Sequence, residues 1–434
     1  MAVMKKEFTR LLENKITDAL KTKGCVSIEG PKHSGKTFLA EKLSKTKFLM
    51  KESYKKYLNI KSKERKIFDG DKPHLIDEWQ IAPQIWDEVV FRINQSDNPF
   101  GLYILTGSTK VDSSEIKHYK TVKILTMQIN TLTFAEIFSQ ENKISLKNLF
   151  FNQKNVDPNI RSQFSFDESI QQLINGGWPE PLAYDFRPEN EIISQKNSLL
   201  KISDDKDWAE SIFKTLAQLN GTEMTEKSFK RRFNGELKSR VKNELEKYLK
   251  YLEKEFLIFN LKQWPTPLNP ASSKQITSKT KKYWSDPSIP LNLLKIKNKQ
   301  KFFISEEDKK YLGFCFESQV VKDLGVYANV LDGEIYYYSC NLLQNCNICN
   351  NTKKCEIDAI MELDDGKWAA FEIKTSEENE IINEAAEKLI RYTNNIVKNT
   401  GMKEPEFLMI ITPHPDSYRL ENGVFVVSHT ILKI

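Results

Sequence analysis

The sequence of 434 residues predicts an α/β protein with more than one domain. Three observations lead to this prediction. An apolar strand, a Gly-rich loop and a helix follow one another near the N-terminus, helical periodicity fills residues 207–262, and apolar strands alternate with helices in the last third of the chain. A chain of this length exceeds one hydrophobic core, which favours two to four domains.

The composition is that of a soluble protein, with 39% hydrophobic and 29% charged residues. No apolar run approaches the ~20 residues that span a bilayer, so we expect no membrane partner. Charges interrupt every apolar run of the first 24 residues, which argues against a signal peptide and predicts a cytoplasmic location. The net charge of +6 permits nucleic-acid binding without requiring it, and a general bias towards Lys, Asn and Ile explains it equally well.

The first 24 residues are expected to form an amphipathic helix, because their apolar residues recur at helical spacing. These residues are Phe8, Leu11, Leu12, Ile16 and Leu20.

The stretch "CVSIEGPKHSGKTFLAEKL" has the parts of a phosphate-binding loop, with a strand at residues 25–29, the pattern G-x-x-x-x-G-K-[ST] and the start of a helix. Its glycines let backbone N–H groups surround phosphates at the positive end of the helix. Lys36 is expected to reach the β- and γ-phosphates of ATP, and the Thr37 hydroxyl to hold Mg²⁺. The alternative is a chance Gly-rich turn. The predicted nucleotide-binding residues of the loop are Gly30, Pro31, Lys32, His33, Ser34, Gly35, Lys36 and Thr37.

Two further apolar strands end in polar residues. In "PHLIDEWQ", Asp77 is placed to hold Mg²⁺ through water, and Glu78 to activate the attacking water. In "YILTGS", Thr106 and Ser108 could sense the γ-phosphate, although solvated hydroxyls in a turn are an equal alternative.

The C-terminal stretch "CEIDAIMELDDGKWAAFEIKTS" predicts two strands around a turn. Alternate residues of a strand share a face, so Glu372 and Lys374 point the same way, and Asp358 on the adjoining strand can converge with Glu372. Together the carboxylates would hold one or two Mg²⁺ ions, and Lys374 would position or activate water. The alternative is an exposed hairpin with a salt bridge.

Four cysteines precede or begin this hairpin, with a C-x-x-C pair at their centre. A cytosolic chain keeps thiols reduced, so the four thiolates could bind Zn²⁺, and four ordinary thiols are the alternative. They are Cys340, Cys346, Cys349 and Cys355; the remaining cysteines, Cys25 and Cys315, lie in apolar runs and are predicted to be core residues.

The middle of the chain is predicted to connect the two candidate sites. Residues 139–167 are polar and favour a connection or lid rather than core, and "ESIQQLINGGWPEPL" predicts a helical joint in which Trp178 packs. Residues 207–262 resemble a winged-helix module, and residues 263–284 are predicted to be a loop or hairpin edge. Basic residues of the module could follow DNA phosphates, or could form a solvated face or a scaffold. They are Lys227, Lys230, Arg231, Arg232, Lys238 and Arg240.

The order of the phosphate loop, "LIDEWQ", "YILTGS" and "LINGGWPEPL" resembles a family of predicted prokaryotic ATPases. These proteins pair an AAA+-like P-loop domain with a C-terminal domain of the PD-(D/E)xK nuclease superfamily. Further marks of the resemblance are "GGWPEP" at Gly176 to Pro181, "YWSDPSI" at Tyr283 to Ile289 and the closing "EIDAI…FEIK".

The resemblance implies an AAA+-like parallel sheet in residues 1–138, a connection and joint in 139–200, a winged-helix-like module in 201–262 and a restriction-endonuclease-like α/β domain in 263–434. It assigns Glu317, Asp358, Glu372 and Lys374 to the nuclease-like site, with Mg²⁺ on the carboxylates. The chain departs from the family near residue 120, where Lys120 stands in place of the arginine that would stabilise the transition state. Arg92 is a candidate substitute for this arginine, and the alternative is that Arg92 is an exposed helical residue.

Three functions fit these patterns. The first is a Mg²⁺-dependent ATPase whose nucleotide state controls a nucleic-acid-directed C-terminal domain. The second is an ATP-regulated, metal-dependent nuclease. The third is a nucleotide-dependent scaffold or regulator that binds protein partners. AAA+-like ATPases often assemble into rings, so a homo-oligomer is a further expectation.

Overall fold

The computed structural model describes residues 6–50, 65–117, 121–139, 144–152, 156–184, 202–233, 241–265, 280–341 and 354–434. The fold is mixed α/β. Its helices are α1 (Glu13–Leu20), α2 (Lys36–Leu43), α3 (Gln84–Gln95), α4 (Phe134–Ile137), α5 (Leu146–Phe151), α6 (Phe166–Asn175), α7 (Pro179–Tyr184), α8 (Lys206–Gln218), α9 (Glu226–Arg232), α10 (Val241–Lys254), α11 (Ser288–Leu293), α12 (Glu306–Val330) and α13 (Asn379–Thr400).

The strands are β1 (Cys25–Glu29), β2 (Thr46–Leu49), β3 (His74–Asp77), β4 (Tyr103–Gly107), β5 (Ile124–Gln128), β6 (Ile144–Ser145), β7 (Ile160–Arg161), β8 (Ile258–Gln263), β9 (Thr280–Trp284), β10 (Gly333–Asn341), β11 (Lys354–Leu363), β12 (Trp368–Ile373), β13 (Leu408–Thr412), β14 (Asp416–Arg419), β15 (Phe425–Ser428) and β16 (Leu432–Lys433). Within the described ranges, no helix combines the length and apolar character needed to cross a bilayer.

The chain divides into two compact units. The first comprises Met1–Leu132, Trp178–Glu191 and Glu246–Ile258, and the second comprises Thr133–Gly177, Ile192–Leu245 and Phe259–Ile434. The organisation into four segments that the sequence suggests stays a prediction.

The first unit is built on a five-stranded parallel sheet in the order β2-β3-β4-β1-β5. The three central strands β3, β4 and β1 are short and almost wholly buried, as expected for parallel strands that helices cover on both faces. Trp79 and Trp86, with ring centroids 5.0 Å apart, form the centre of a core that also contains Cys25. Because β4 lies between β1 and β3, the carboxyl ends of these three strands meet at one edge of the sheet.

The N-terminal helix is shorter than the sequence predicts. It begins at Glu13, and residues 6–10 are not helical. The segment makes other hydrogen bonds instead. The Lys6 N–H donates to the Ala183 carbonyl at 3.0 Å, and the Arg10 side chain donates to backbone carbonyls elsewhere in the first unit. The helix therefore does not extend back to Phe8, although the apolar spacing includes this residue. Near Phe8, the Lys6 N–H is paired with a distant carbonyl.

The second unit contains a nine-stranded sheet in the order β7-β14-β15-β13-β12-β11-β10-β8-β9. At its centre, β10, β11 and β12 are antiparallel neighbours, and β13 lies parallel to β12. Helix α13 supplies the crossover that a parallel neighbour requires. Its buried Leu389, Tyr392 and Ile396 share a core with Trp264 and Trp368.

Three helices, α8, α9 and α10, precede strand β8, which lies next to β9 in the sheet. Strand β9 lies beyond the residues assigned to the winged-helix-like module, so that interpretation stays a prediction. Residues 280–284, which we expected to be part of a loop or hairpin edge, form strand β9.

Residues 139–167 are not only a connection. Ile144, Leu146, Leu149 and Phe150 are each at most 2% exposed, so the expectation that this segment lies outside the core is wrong at these positions. The apolar residues are spaced as the inner face of the short helix α5, and the polar composition of the surrounding stretch hid this pattern. Cys25 and Cys315 are buried, as predicted, and Trp178 is fully buried.

Two sequence motifs of the resemblance meet in the second unit. The buried carboxylate of Asp286 accepts a hydrogen bond from the Gly177 N–H at 2.9 Å and from the Ser288 N–H and hydroxyl at 2.9 and 2.6 Å. A Cβ atom at Gly176 would lie 2.4 Å from an Asp286 oxygen, and the residue has φ +74°. Glycine is therefore required at Gly176, both by space and by backbone conformation.

We expect Asp286→Ala to lower the free energy of unfolding by about 3 kcal/mol, because it leaves buried donors of Gly177 and Ser288 without their acceptor. Urea denaturation followed by circular dichroism measures this. The control is Glu404→Ala, an exposed acidic residue of the same unit, which should change stability by no more than ~0.5 kcal/mol. Equal effects of the two substitutions would contradict the role of the Asp286 hydrogen bonds.

Candidate functional site

The loop between β1 and α2 has the backbone of a tight anion-binding turn. Gly35 has φ +87°, a conformation that disfavours other residues. A Cβ atom at Gly30 would lie 2.1 Å from the Ile129 carbonyl oxygen, so this glycine permits the close approach of the neighbouring chain. Both glycines of the motif are thus explained by the local geometry. The hydroxyl of Ser34 is buried, and no hydrogen bond to it is found within the described ranges.

Lys36 is 4% exposed, and its Nζ donates to the Pro31 carbonyl at 2.8 Å. Burial lowers the pKa of Lys36 from its ordinary value of 10.5 to about 8, although the carboxylates of Glu78 and Asp77 act in the opposite direction. The ammonium therefore lies inside the loop, with both carboxylates close enough to affect it.

Asp77 joins the ends of three elements. Its Oδ1 accepts hydrogen bonds from the Thr37 hydroxyl at 2.8 Å and from the Thr106 hydroxyl. Burial raises the pKa of Asp77, and these two hydrogen bonds counteract the shift. A hydroxyl and a carboxylate oxygen are hard donors, so Thr37 and Asp77 fit Mg²⁺ by their chemistry.

Glu78 has the left-handed backbone conformation, with φ 56° and ψ 45°. Its N–H donates to the Thr106 hydroxyl at 3.0 Å, and its Oε2 accepts from the Ser108 hydroxyl at 2.6 Å and from the Gln80 amide. Such conformations are uncommon for a residue other than glycine and concentrate at functional sites. The end of β4 thus fixes both the backbone and the carboxylate of Glu78.

A cavity of about 420 Å³ adjoins the loop. Lys36, Thr37 and Glu78 line its polar end, and Phe8, Leu132 and Tyr184 are among the apolar residues that line it.

Arg10 is a residue of this region that sequence reasoning missed. It is 7% exposed, and its guanidinium donates to the Ser34 carbonyl at 2.7 Å and to the Asn130 carbonyl at 2.8 Å. It therefore supports the loop from behind. A lone arginine in a predicted amphipathic helix gives no signal of this role.

Thr109 follows β4, and Arg92 on α3 is the residue considered as a substitute for the expected arginine. Thr109 donates to both carboxylate oxygens of Glu255 at 3.3 Å. Arg92 is held by Glu88 at 2.8 Å and lies over the Phe68 ring, so it does not extend freely into solvent. Lys120 lies outside the described residues.

In the second unit, strands β11 and β12 bring together the carboxylates predicted from the C-terminal hairpin. In the antiparallel pairing of these strands, Ala359 lies opposite Phe371. The next residues along the two strands, Asp358 and Glu372, therefore lie next to each other. The Ile373 N–H donates to Asp358 Oδ2 at 2.9 Å. Burial, followed by the negative charge of Asp358, raises the pKa of Glu372.

Glu317 on helix α12 belongs to the same cluster. Burial raises its pKa, Lys281 lowers it, and the charge of Asp358 raises it further. Lys374 Nζ donates to Glu372 Oε1 at 2.8 Å, so these two side chains share a face as alternation predicts. All four residues that the resemblance assigns to the site therefore influence one another.

The cluster contains basic and aromatic partners that the sequence analysis did not identify. Lys388 Nζ donates to Glu372 Oε1 at 2.8 Å. Lys281 Nζ lies 3.2 Å from Glu317 Oε1 and 2.7 Å from Glu356 Oε1. Lys281 alternates with Tyr283 along β9, and this alternation was the available signal within a stretch that otherwise resembles a basic loop.

The described part of the chain contains no preassembled group of three His, Cys, Asp or Glu side chains that could hold a metal ion. Glu372 nevertheless has an oxygen suited to a cation. Its side chain is 1% exposed, and within the same described ranges Oε2 receives no hydrogen bond. Asp358 and Glu372 are thus the carboxylates that fit a divalent ion.

The described residues give no support to the predicted zinc site. Cys355 is buried and lies opposite Cys340 in the β10–β11 ladder. Cys346 and Cys349 lie outside the described residues, so the four-cysteine arrangement stays a prediction.

Helix α9 presents part of the predicted basic surface. Lys227, Lys230, Arg231 and Arg232 are exposed, and Lys230 pairs with Glu226 at 2.5 Å. Lys238 and Arg240 lie outside the described residues.

Comparison with solved structures finds low similarity. A Walker-type ATPase of Pyrococcus abyssi is 12% identical, with 66% of this chain and 96% of that chain covered and a TM-score of 0.38. Two variants of RuvB from Thermotoga maritima are 15% identical, with 59% of this chain and 90% of each RuvB chain covered and TM-scores of 0.26 and 0.25. No curated protein matches the chain.

Family models match two parts of the chain. Residues 167–300 match a domain of unknown function, and this range includes both motifs that meet at Asp286. Residues 22–138 match the AAA domain family. This second match covers β1 to β5 and the convergent residues at their carboxyl ends, so the N-terminal part of the chain is a P-loop ATPase-like domain.

Proposed function

We propose that the protein binds ATP with Mg²⁺ and hydrolyses it at the carboxyl edge of the parallel sheet in the first unit. The observation that carries this proposal is the hydrogen bond between Thr37 and Asp77, beside the buried ammonium of Lys36 and the carboxylate of Glu78. A phosphate-binding loop next to an acidic strand end is the arrangement that nucleoside triphosphate hydrolysis requires.

Each residue has a distinct role in this proposal. Lys36 neutralises the β- and γ-phosphates, and Thr37 and Asp77 hold the metal ion. When bound, Mg²⁺ supplies charge stabilisation on the phosphate oxygens. Glu78 orients and deprotonates the attacking water. Since Ser108 and Gln80 hold one oxygen of the Glu78 carboxylate, Oε1 is the atom we expect to face the water.

A second candidate function concerns the C-terminal part. We infer that it acts on or binds nucleic acid, with Asp358 and Glu372 holding a divalent ion and Lys374 positioning water. The observation that favours this function is the convergence of Glu317, Asp358, Glu372 and Lys374, with one buried oxygen of Glu372 available. The exposed basic residues of α9 would add contacts with phosphates.

ATP binding would then regulate this second site. The alternatives are a nuclease that uses ATP as a switch and a scaffold that binds protein partners. A cytoplasmic location and a homo-oligomeric state remain part of the proposal.

Glu78→Gln should slow ATP hydrolysis by about 10²–10⁴-fold while ATP affinity changes little, because the amide cannot accept the proton of water.

Lys36→Ala should abolish ATP binding. Phosphate release and titration with a fluorescent ATP analogue measure the two effects. The control is Lys42→Ala, on the exposed side of the same helix, which should resemble the wild type. Unchanged binding in Lys36→Ala would contradict the proposal.

ATP affinity should be highest below pH 8 and should fall at higher pH. The free loop holds the pKa of Lys36 at about 8, and triphosphate binds the charged ammonium, so above this pH binding must first return a proton to Lys36. The decrease should approach about tenfold per pH unit.

Isothermal titration between pH 6.5 and 9.5 measures this dependence, and Lys42→Ala should retain it. Constant affinity up to pH 9.5 would show that Lys36 stays charged in the free loop.

With Mg²⁺ or Mn²⁺ and ATP, the wild type should cleave DNA or RNA, and Asp358→Ala should lose at least about 100-fold of this activity. The comparison includes single- and double-stranded substrates with and without ATP. Retention on immobilised DNA at increasing salt separates the outcomes, and Arg231→Ala should weaken retention and reduce its salt dependence. Retention without cleavage would leave a binding function, and the absence of both would favour the protein-binding scaffold.

A further inference from the structure

The carboxylates of the C-terminal site fall into two groups that have different lysine partners. Lys281 serves the first group. Its Nζ lies 3.2 Å from Glu317 and 2.7 Å from Glu356, and only 10% of its side chain is exposed. The Tyr283 hydroxyl also donates to Glu317, at 2.6 Å. The Glu317 carboxylate therefore already has an ammonium and a hydroxyl of the chain itself as hydrogen-bond donors.

In the second group, Asp358 and Glu372, one carboxylate oxygen lacks a hydrogen-bond donor. Lys374 and Lys388 both donate to Oε1 of Glu372 at 2.8 Å. The other oxygen, Oε2, is buried and receives no hydrogen bond from the part of the chain that the structure describes. A buried carboxylate oxygen without a donor is costly, so a cation is expected on this side.

Lys281 is held firmly in its position. It lies on strand β9 two residues from Tyr283, so both side chains leave the same face and reach the same carboxylate. An ammonium is a compact point charge, and two carboxylates at these distances give it strong attraction in a buried place. A divalent ion on Glu317 would have to displace this ammonium or lie next to it, and like charges repel.

We propose that Lys281 is a resident cation of the C-terminal site, which therefore holds one divalent ion, bound by Asp358 and Glu372, instead of two. This inference rests on the proposed function of that site. It separates the three carboxylates of the resemblance into two roles, because Asp358 and Glu372 bind the metal while Glu317 binds Lys281.

The experiment measures how many Mn²⁺ ions bind the nucleotide-free, full-length chain, by isothermal titration and by electron paramagnetic resonance of free Mn²⁺. An Asp77→Ala background removes binding at the ATPase site. We expect one ion per chain, which Asp358→Ala removes. Lys281→Met should raise the number to two, because Glu317 and Glu356 lose their cation. Lys282→Met is the matched control, and its number should stay at one, since Lys282 leaves the opposite face of β9 and donates to Asn260.

Removing a buried cation could prevent Lys281→Met from folding, so Glu317→Gln provides a second comparison. Our proposal predicts that Glu317→Gln still binds one ion with an affinity within about threefold of the wild type. Two ions in the wild type, one of which is lost in Glu317→Gln, would overturn the role of Lys281 and leave the proposed metal site intact. One ion in a folded Lys281→Met would also overturn it. The absence of any ion that depends on Asp358 would instead overturn the proposed function of the site.

Discussion

Buried carboxylates impose the constraint on which both units depend. A carboxylate that loses water must gain hydrogen-bond donors or a cation, and leaving it without either costs several kcal/mol. Asp77 meets this need with two hydroxyls from neighbouring elements, Asp286 with the donors of Gly177 and Ser288, and Glu317 with Lys281 and Tyr283. In each case at least one donor comes from a distant part of the sequence, so satisfying the charge also fixes the arrangement of the elements.

Asp323 shows how the same constraint organises the second unit. Its fully buried carboxylate accepts from the Phe134 N–H at 2.9 Å and from Gln319 at 3.0 Å, and His429 Nε2 lies 3.0 Å away. The His429 ring is also stacked on Phe134. The start of helix α4 and the residues after β15 therefore lie against helix α12, the helix that also carries Glu317.

The sequence was most informative where function requires a fixed local pattern. The phosphate loop needs glycines, a lysine and a hydroxyl at set spacing, so Gly30 to Thr37 could be located without a structure. The strands ending at Asp77 and Thr106 could also be located, because polar residues directly after apolar strands are conspicuous. Alternation along β12 correctly placed Glu372 and Lys374 on one face.

Residues that act through tertiary contacts could not be found in this way. Arg10 supports the loop by bonds to Ser34 and Asn130, which are 24 and 120 positions away in the chain. Lys281 reaches Glu317, 36 positions away. No spacing rule connects such pairs. At residues 6–12 local periodicity wrongly predicted a helix. The helix starts at Glu13, and the Lys6 N–H donates to the distant Ala183 carbonyl.

The need of polar groups for hydrogen-bond partners also limits which cation could assist the proposed phosphoryl transfer. An arginine in the transition state is worth roughly 10³–10⁵ in rate in related reactions, but only if its guanidinium can reach the phosphates. Arg10 is committed to two carbonyls beneath the loop, and Arg92 to Glu88 and Phe68. Moving Arg10 would leave these two carbonyls without their donor, and moving Arg92 would break its ion pair with Glu88. Lys36 can meet the phosphates at a smaller loss, since the contact it must give up is a hydrogen bond to Pro31 in the same loop. Among the described residues, both arginines are engaged in this way, so fast turnover would depend on a further cation at the site.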